Sequence, residues 1–373
     1  STPSNSSAAS DVYKRQGRKM AVVNYASKYA SQVDERFSLG SLTGALTNNA
    51  YDFIGVETVN VYSIPTVGMN DYKTSGSNRY GDPDELGNSV QEMKLTQDRS
   101  FTFTIDRKSY DDAQMTMEAG KALARQIAEV VIPEVDIYRI HKIAASAKVA
   151  NIVTGATTKT NAYENFLSVQ EKLDDAKIPA GGRVCICRSS YYKNIKLDDA
   201  FTKKGDMATQ IAINGAVGEV DGVPIIKAPA SYFPANVDFI ITNPIVCVAP
   251  IKLTEYKIHT DAPGISGWLV EGRIRYDAFC LNEKLDAIGV HATETLASIA
   301  ITTAPTKTAY KSGEKFDPTG MVVTATYGSS TTQDVTKHVT YTPETITKAG
   351  NVTVSYTENG VTKTATQAVT LDT

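Results

Sequence analysis

The stretch from Ser109 to Ile132 constrains the fold more than any other part of this 373-residue chain. Its small and apolar side chains recur at steps of three and four residues, which places them on one face of an α-helix. Ser109 and Asp112 have the spacing of a capping box, and Asp111 and Asp112 suit the positive end of the helix dipole. At ~1.5 Å per residue the helix would measure roughly 36 Å. The residues on this stripe are Ala113, Met117, Gly120, Ala124, Ile127 and Val131.

Pro133 follows this stretch directly. Because proline lacks a backbone donor, it should kink or end the helix, although a helical pattern resumes from Val135 to Ile143. By itself the pattern describes a long core helix. The segments that precede it in the chain give it a more specific meaning.

Length and composition set the class of protein. The length predicts two or three domains. The hydrophobic content of 42% and the charged content of 21% are those of a globular protein, and a net charge of −3 gives no reason to expect avid binding to nucleic acid or an anionic membrane. The sequence has no run of the ~18 apolar residues that span a bilayer and no secretory signal pattern. We therefore expect the four cysteines to be reduced, buried thiols made in a cytosol.

The first nineteen residues differ from the rest, since they are polar and aperiodic. Residues 6–16 resemble the conceptual translation of a sequencing adapter. We expect residues 1–19 to be a non-native leader and Met20 to be the natural start.

The next segments predict parts that reach away from a compact body. Residues 20–55 are loosely helical and polar and predict an extended arm that orders against another surface. Val56–Ile64 and Ser100–Asp106 alternate as strands. A Gly-, Asn-, Asp- and Ser-rich stretch begins between them at Pro65, so we expect the two strands to form a projecting hairpin within residues 56–106.

Residues 107–294 predict an α+β body, because helices and strands alternate without a regular βαβ repeat. A helix is expected over Asn161–Asp175, with Asn161 as its cap, followed by a buried strand that contains Cys185 and Cys187. Gly218–Ile226 predicts a tight hairpin with Asp221-Gly222 at the turn. Further strands are expected at Phe239–Thr242, Val246–Ala249 and Trp268–Phe279.

The composition changes near Glu294. The tail from Leu296 contains no Arg, Cys or Trp, and 21 of its 78 residues are Thr. Short alternating strands separated by turn residues predict a small antiparallel β-sandwich over residues 295–373, without a disulfide.

The order of arm, projecting hairpin, long helix and mixed body resembles the major capsid protein of tailed bacteriophages, the Hong Kong 97-type fold. The resemblance makes 20–55 the N-terminal arm, 56–106 the extended loop, and 107–294 the peripheral and axial capsid domains, with the long helix as the spine. It implies a virion protein, made in the bacterial cytoplasm, that self-assembles as hexamers and pentamers into an icosahedral head around double-stranded DNA. It also implies a portal, a maturation protease and, since few residues precede the loop, a separate scaffold protein.

The resemblance directs attention to the loop tip, whose mixed charges would suit contacts that set register between neighbours. A covalent cross-link to a neighbour through Lys73 or Lys94 is conceivable, but the sequence does not mark an acceptor. Plain solvation remains the alternative for each charge. The tip residues are Lys73, Arg79, Asp82, Asp84 and Glu85.

The tail resembles bacterial immunoglobulin-like domains, most specifically over Lys311–Tyr327. The resemblance implies an outward decoration domain. Its Thr-rich, charge-neutral surface would permit weak adhesion to carbohydrate or to host surfaces.

Patterns for catalysis and metal binding are missing from the sequence. Cys185 and Cys187 are too close in sequence for a zinc site and lack a second pair. No nucleophile elbow, P-loop or dinucleotide fingerprint is present. We therefore predict no catalytic, cofactor-binding or metal residues and no enzyme activity. Four scattered histidines are expected to be satisfied or exposed: His141, His259, His291 and His338.

Two other classes stay open at this point. An encapsulin-like nanocompartment shell would share the fold but package enzymes, and the appended immunoglobulin-like domain argues against it. A bacterial surface adhesin would use the tail, but a signal peptide and a wall anchor are missing from the sequence.

Overall fold

The computed structural model describes residues 40–48, 51, 58–64, 66–82, 85, 87–107, 119–199, 218–260 and 262–372. These residues fall into two compact units. The smaller unit contains 101–107, 119–125, 256–260 and 262–272, and the larger unit contains the others. The predicted leader, residues 20–39 of the predicted arm, and the predicted helix start with Ser109, Asp111, Asp112, Ala113 and Met117 lie outside the described residues.

The long helix consists of α1 (Ala119–Gln126), a π-turn (Ile127–Val131) and α2 (Ile132–Ala145). Of the two outcomes predicted for Pro133, a kink or an end of the helix, the second is wrong, because the helix continues to Ala145. Pro133 lies in the first turn of α2, directly after the π-turn, so its missing N–H falls where the regular hydrogen-bond ladder is already interrupted. Of the predicted apolar stripe, Val131 is buried, whereas Gly120 and Ala124 are exposed.

The body of the larger unit contains a mixed six-stranded sheet in the order β4-β13-β8-β5-β7-β6. Its β5–β7 and β4–β13 pairs are parallel, and its other pairs are antiparallel. The strands are β4 (Ile152–Thr154), β5 (Val184–Arg188), β6 (Glu219–Val220), β7 (Val223–Ala228), β8 (Val237–Thr242) and β13 (Gly289–Ala292).

This sheet is covered on both faces, which explains why its central strands, β5 and β8, are mostly apolar. Cys185 and Cys187 point to the face that packs against α3 (Ala162–Asp175) and α4 (Ser189–Leu197). Ile186, between them, points to the face that packs against the end of α2. Both sulfurs thus lie on one side of the sheet, as residues two apart on a strand must. The predicted helix before them and the predicted hairpin at Asp221-Gly222 are confirmed, and the φ angles of 50° and 76° at the turn fit type I′.

The cap of α3 differs from the prediction. The side chain of Asn161 turns backward and accepts hydrogen bonds from the backbone N–H and the hydroxyl of Thr158. The backbone N–H of Tyr163 instead donates to Asp198 Oδ2 at 2.9 Å. A carboxylate from a distant segment therefore satisfies the helix start, which local spacing cannot reveal.

The projecting hairpin is formed by β1 (Thr58–Ser63) and β2 (Ser89–Lys94), which pair antiparallel. The sequence predicted the first strand but assigned it the wrong partner. Ser100–Asp106 lies in β3 (Gln97–Asp106), which belongs to another sheet, in the order β10-β11-β3. The other two strands of that sheet are β10 (Ile251–His259) and β11 (Gly267–Tyr276).

Within the smaller unit, aromatic rings and a close backbone approach hold these strands together. Phe101 stacks with Tyr256 at a ring-centroid distance of 6.0 Å. The backbone N–H of Arg107 donates to the Ser266 carbonyl at 2.8 Å. A Cβ at Gly267 would lie 2.1 Å from the Ile105 carbonyl oxygen, so this position requires glycine.

A two-stranded ribbon of β9 (Cys247–Val248) and β12 (Phe279–Cys280) lies in the larger unit beside the base of the hairpin. Short 3₁₀ turns connect the strands of the body and the tail. They span Val149–Asn151, Ala230–Tyr232, Asn282–Ala287 and Thr336–His338.

The tail forms the predicted β-sandwich, whose core is lined by apolar residues from both of its main sheets. The first sheet contains β14 (Leu296–Thr303), β17 (Val322–Tyr327) and β18 (Thr332–Asp334). The second contains β15 (Ala309–Tyr310), β22 (Val361–Leu371), β21 (Gly350–Glu358) and β19 (Thr340–Thr342). A short ribbon joins β16 (Glu314–Lys315) and β20 (Thr345–Ile346).

Candidate assembly surfaces

The end of the N-terminal arm is bound to the chain's own body through one buried carboxylate. Asp136 on α2 accepts hydrogen bonds from the Ser41 hydroxyl at 2.9 Å, the Leu42 N–H at 2.7 Å and the Thr43 hydroxyl at 2.6 Å. Arg139, three residues further along the same helix, donates to Thr43 Oγ1 and compensates part of the buried charge. The arm is thus fixed at this point by a charge-assisted cluster on the long helix.

After this cluster, the arm pairs through Asn48 with the β9 strand of the β9–β12 ribbon. Leu46 is fully buried in the body core. The Asn48 N–H donates to the Cys247 carbonyl at 2.9 Å, and the Ala249 N–H donates to the Asn48 carbonyl at 3.0 Å. This edge pairing leaves residues 40–48 as a firm attachment for whatever precedes them.

The base of the hairpin is held by a second buried carboxylate. Asp277 Oδ2 accepts from both the N–H and the hydroxyl of Thr96 at 2.8 Å, at the bend between β2 and β3. Its Oδ1 accepts from the Tyr138 hydroxyl of α2 at 2.7 Å and from the Ala278 N–H at 2.8 Å. Burial and the adjacent Asp277 charge raise the pKa of Tyr138, so its hydroxyl remains a donor.

An amide clamp adds to this attachment. Gln91 Nε2 donates to the Cys280 carbonyl at 2.9 Å, while Gln91 Oε1 accepts from the Asn282 N–H at 3.0 Å. Met93 and Leu95 are buried in a small apolar cluster with Val248 and Leu281. The hairpin therefore projects from a rigid base.

The loop that this hairpin carries exposes apolar side chains. Half of the fourteen large hydrophobic side chains that are exposed in the described part of the chain lie between Tyr62 and Val90. Met69 is completely exposed. Such a concentration is unusual on a free surface and is typical of one that becomes covered. The seven are Tyr62, Ile64, Val67, Met69, Tyr72, Tyr80 and Val90.

The tip of the loop has local structure of its own. Lys73 N–H donates to the Arg79 carbonyl at 2.9 Å, and the rings of Tyr72 and Tyr80 meet edge to face at 5.1 Å. Asn78 donates to Asp82 at 2.8 Å. The tip is therefore a shaped turn, and its predicted charges surround exposed rings. Asp84 lies outside the described residues.

The immunoglobulin-like tail packs directly on the body of the larger unit. The rings of His141 on α2 and His338 in the tail stack in parallel with centroids 3.9 Å apart. Glu294 accepts from the Ser329 hydroxyl at 2.7 Å. A Cβ at Gly360, where φ is +66°, would lie 2.3 Å from the Ala147 carbonyl oxygen. These contacts seat the tail on the end of the long helix, with no room for a side chain at position 360.

A buried carboxylate also lies at this junction. Glu358 accepts from the hydroxyls of Tyr327 and Tyr356 at 2.7 Å each. Burial raises the pKa of Glu358, whereas the two hydroxyl donors and the charge of Arg188 lower it. The arrangement holds the carboxylate among tail tyrosines and near a body arginine.

One face of the second tail sheet is covered by hydroxyl groups, and we call it the hydroxyl face. On β19, β21 and β22 these side chains lie directly opposite one another, at ~4.8 Å between strands and ~6.8 Å along them. The side chains in its rows are all uncharged. Its rows are Thr342–Thr353–Thr366, Thr340–Ser355–Thr364 and Thr357–Thr362.

The described residues contain no cluster of three or more His, Cys, Asp or Glu side chains that could hold a metal ion. All four cysteines are free and buried. His291 departs from the expectation for histidines: it is fully buried, stacked on Phe239, with Nδ1 3.3 Å from Asp238 Oδ2 in a geometry outside hydrogen bonding. None of the described helices is long and apolar enough to cross a bilayer.

Sequence reasoning missed Asp136 and Asp277, which organise both attachments. The available signal was weak: each is a single carboxylate within an apolar pattern, Asp136 between Val135 and Ile137 and Asp277 before Ala278. A lone buried carboxylate must find donors, but the sequence does not say which segments supply them.

Comparison with solved structures identifies the fold of the body. A structure from Mycobacterium phage Che8 is 16% identical, with a TM-score of 0.59, and the match covers 73% of this chain and 98% of that one. The mature capsid of bacteriophage PhiM1 is 12% identical over 75% and 98% of the two chains, with a TM-score of 0.56. The capsid of cyanophage P-SCSP1u is 12% identical over 72% and 93%, with a TM-score of 0.53. The body therefore has the fold of phage capsid subunits, as the segment order predicted.

The tail is identified by its sequence. Residues 303–370 match the family model of the bacterial Ig-like domain (group 3). No curated protein is similar enough to the chain to count as a match. The molecule is thus a phage capsid fold joined to an immunoglobulin-like domain, and both predicted resemblances are confirmed.

We predict that Asp136→Ala releases the end of the arm. Two hydroxyls and one backbone N–H would lose their acceptor, so the free energy of unfolding should fall by ~3 kcal/mol. Hydrogen exchange at the Leu42 amide should accelerate in the variant. Asp286→Ala is the control, since it removes a half-exposed ion pair with Lys148 and should cost at most ~1 kcal/mol. Unchanged protection of Leu42 would contradict the assigned role of Asp136.

The histidine stack predicts that acid weakens the junction. Burial, with smaller contributions from His338 and Arg188, lowers the pKa of His141 to about 3, and burial also lowers the pKa of His338. Histidine in the unfolded chain titrates near ~6.5, so the stabilisation is complete above that pH and is lost as the pH falls toward the depressed values.

Replacing one ring tests this prediction. His338→Phe keeps an aromatic partner for His141 but cannot take up a proton. Between pH 7 and pH 5 the wild type should lose about 1 kcal/mol more unfolding free energy than the variant, as measured by urea titration. The control His259→Phe alters a ring outside the junction and should follow the wild type. Parallel pH curves for wild type and His338→Phe would exclude the effect.

Proposed function

We propose that this chain is the major capsid protein of a tailed phage, and that it self-assembles into the icosahedral head that encloses double-stranded DNA. The observation on which the proposal chiefly rests is the capsid fold combined with a rigidly based hairpin whose apolar loop has no cover within the described chain. A shell of many copies needs broad interfaces distributed over each subunit, and an arm and a loop that reach neighbours supply them.

The loop surface supports this proposal because it combines exposed apolar side chains with charged ones. Apolar and aromatic side chains at an interface core provide the binding energy, while charges around them set the register. The loop contains both kinds of residue, with Met69 and Tyr80 exposed among Lys73, Arg79 and Glu85. A cross-link through Lys73 or Lys94, both exposed, remains a prediction.

The remaining partners follow from the proposed role. The chain would form hexamers and pentamers, with a separate scaffold protein, a portal and a maturation protease acting during head assembly. Contact with packaged DNA would be weak and non-specific, because the net charge is −3. The role is structural and located in the virion, and it requires no enzyme activity of this chain.

We predict that polar replacement in the loop abolishes assembly without unfolding the subunit. Met69→Asp and Ile64→Asp place a charge where an apolar contact should form, so shells should be lost while the melting temperature stays within a few degrees. Met69→Leu, which preserves the apolar contact, is the matched control. The full chain, co-expressed with a candidate scaffold, would be examined by negative-stain electron microscopy and thermal unfolding.

Two outcomes would argue against the proposal. Normal shells from both aspartate variants would remove the loop from the interface, and a wild-type chain that stays monomeric with the scaffold would reject the capsid role. Shells that enclose protein cargo in place of DNA would favour the encapsulin-like alternative.

A second activity is suggested by the hydroxyl face of the tail. Each hydroxyl is both a donor and an acceptor, as are the hydroxyls of a neutral glycan. Several of them, including Thr364 and Thr366, are exposed, and the side chains in the three rows are uncharged. We propose that the tail is an outward decoration domain that adheres weakly to neutral host-surface glycans through this face.

A charge on the hydroxyl face should weaken such adhesion. Thr364→Glu and Thr366→Glu, combined, are expected to reduce binding of the full chain to host cells or mucin several-fold, because a charged group replaces hydroxyls at the face centre. Lys315→Glu, on the separate β16–β20 ribbon, is the charge-matched control. Equal binding of both variants and the wild type would reject glycan adhesion while leaving the capsid role untouched.

A further inference from the structure

Two of the four cysteines lie opposite each other in the β9–β12 ribbon. The antiparallel register pairs Cys247 directly with Cys280. Directly opposed residues of an antiparallel pair have Cα atoms ~4.5–5.5 Å apart, which is inside the ~4.4–6.8 Å range of disulfides. The backbone therefore already holds this pair at bonding distance.

The two thiols differ in reactivity. The adjacent Cys247 side chain, with smaller contributions from Ser146 and the charge of Lys142, lowers the pKa of Cys280 and outweighs the opposing effect of burial. The adjacent Cys280 side chain and burial raise the pKa of Cys247. Cys280 is also the slightly exposed member of the pair, at 8%, whereas Cys247 is fully buried. Cys280 is therefore suited to react first and Cys247 to resolve the product.

The position of the pair gives the bond a structural meaning. The Cys247 carbonyl accepts from the Asn48 N–H of the arm. The Cys280 carbonyl accepts from the Gln91 side chain at the base of the hairpin. The two cysteines thus belong to the two short strands that hold the arm and the loop.

We propose that Cys247 and Cys280 form a disulfide in the folded chain once it leaves a reducing cytosol, and that this bond covalently joins the strand that holds the arm to the strand that holds the loop. Such bonds are rare in reducing compartments and persist in oxidising ones. The inference depends on the register of β9 and β12 and does not require the capsid role.

The oxidant is a low-molecular-weight disulfide. The Cys280 thiolate attacks one sulfur of this disulfide and expels the other half as a thiolate, which leaves a mixed disulfide on Cys280. Cys247 then loses its proton to the expelled thiolate and attacks Cys280 Sγ, which releases the second half as a thiolate. This thiolate takes up from water the proton that Cys280 lost when it became a thiolate. Two protein thiols are oxidised, and one small disulfide is reduced to two thiols.

Cys185 and Cys187 provide an internal comparison. They lie two residues apart on the single strand β5 and point in parallel to the same face. Both are fully buried, and burial raises the pKa of each. Neither has the opposed geometry of the ribbon pair, so we expect both to remain thiols under the same oxidation.

The experiment exposes the folded full chain to oxidised glutathione, quenches with acid, unfolds it, and alkylates the remaining thiols before peptide mass spectrometry. The wild type should give a linked Cys247–Cys280 peptide and keep two alkylatable thiols. Its melting temperature should rise by a few degrees and return on reduction. Cys280→Ser should give no link, and Cys187→Ser, the matched control, should still give it.

Several results would overturn the proposal. They are four alkylatable thiols in the folded wild type after oxidation, glutathione retained on Cys280 without transfer to Cys247, and links that join different cysteines or two chains. If Cys280→Ser fails to fold, the wild type measured with and without reductant still decides the question, because the linked peptide and the reversible thermal shift need no variant.

Discussion

Buried carboxylates around the long helix are the interactions on which the extended parts of this molecule depend. Asp136 lies on the helix and binds the end of the arm, while Asp277 lies on the neighbouring strand and binds both the helix, through Tyr138, and the base of the hairpin. A buried charge without donors would cost several kcal/mol, so each carboxylate requires its partner segments to be in place. Folding of the body and placement of the arm and loop are therefore linked through these two groups.

The tail is joined to the body in a different way. A flexible linker would need polar, extended chain, but here β13 leads almost directly into β14, and the tail makes its own contacts with the body at His141, Ala147 and Glu294. The Glu358 carboxylate at this junction differs from Asp136 and Asp277, because its two hydroxyl donors, Tyr327 and Tyr356, belong to the tail itself. The arm and the loop are therefore attached at buried acidic groups, whereas the tail is attached by ring stacking, a close backbone approach and the Glu294–Ser329 hydrogen bond.

The sequence predicted most strands and helices because their hydrophobic periods and turn residues are local; the hairpin at Asp221-Gly222 is an example. It gave the β1 strand the wrong partner, since pairing depends on which strands meet in space and Ser89–Lys94 shows only weak alternation. It predicted too strong an effect of Pro133 on the helix, because this proline follows a π-turn, where the regular hydrogen-bond pattern is already interrupted. It could not find the candidate surfaces in detail, because Asp136, Asp277 and the opposed Cys247 and Cys280 acquire their roles from residues distant in sequence.

The exposed loop also affects the solubility of the subunit before it assembles. A side chain such as Met69, which is completely exposed, lowers the solubility of a free chain and can bind other chains non-specifically. A newly made subunit can therefore aggregate before it assembles. The concentration of free subunits determines how ordered association competes with aggregation. The ordered turn at the loop tip, with its charges around Tyr72 and Tyr80, limits the partner surfaces that can bind the loop. This selectivity favours association with the correct neighbouring subunit over aggregation.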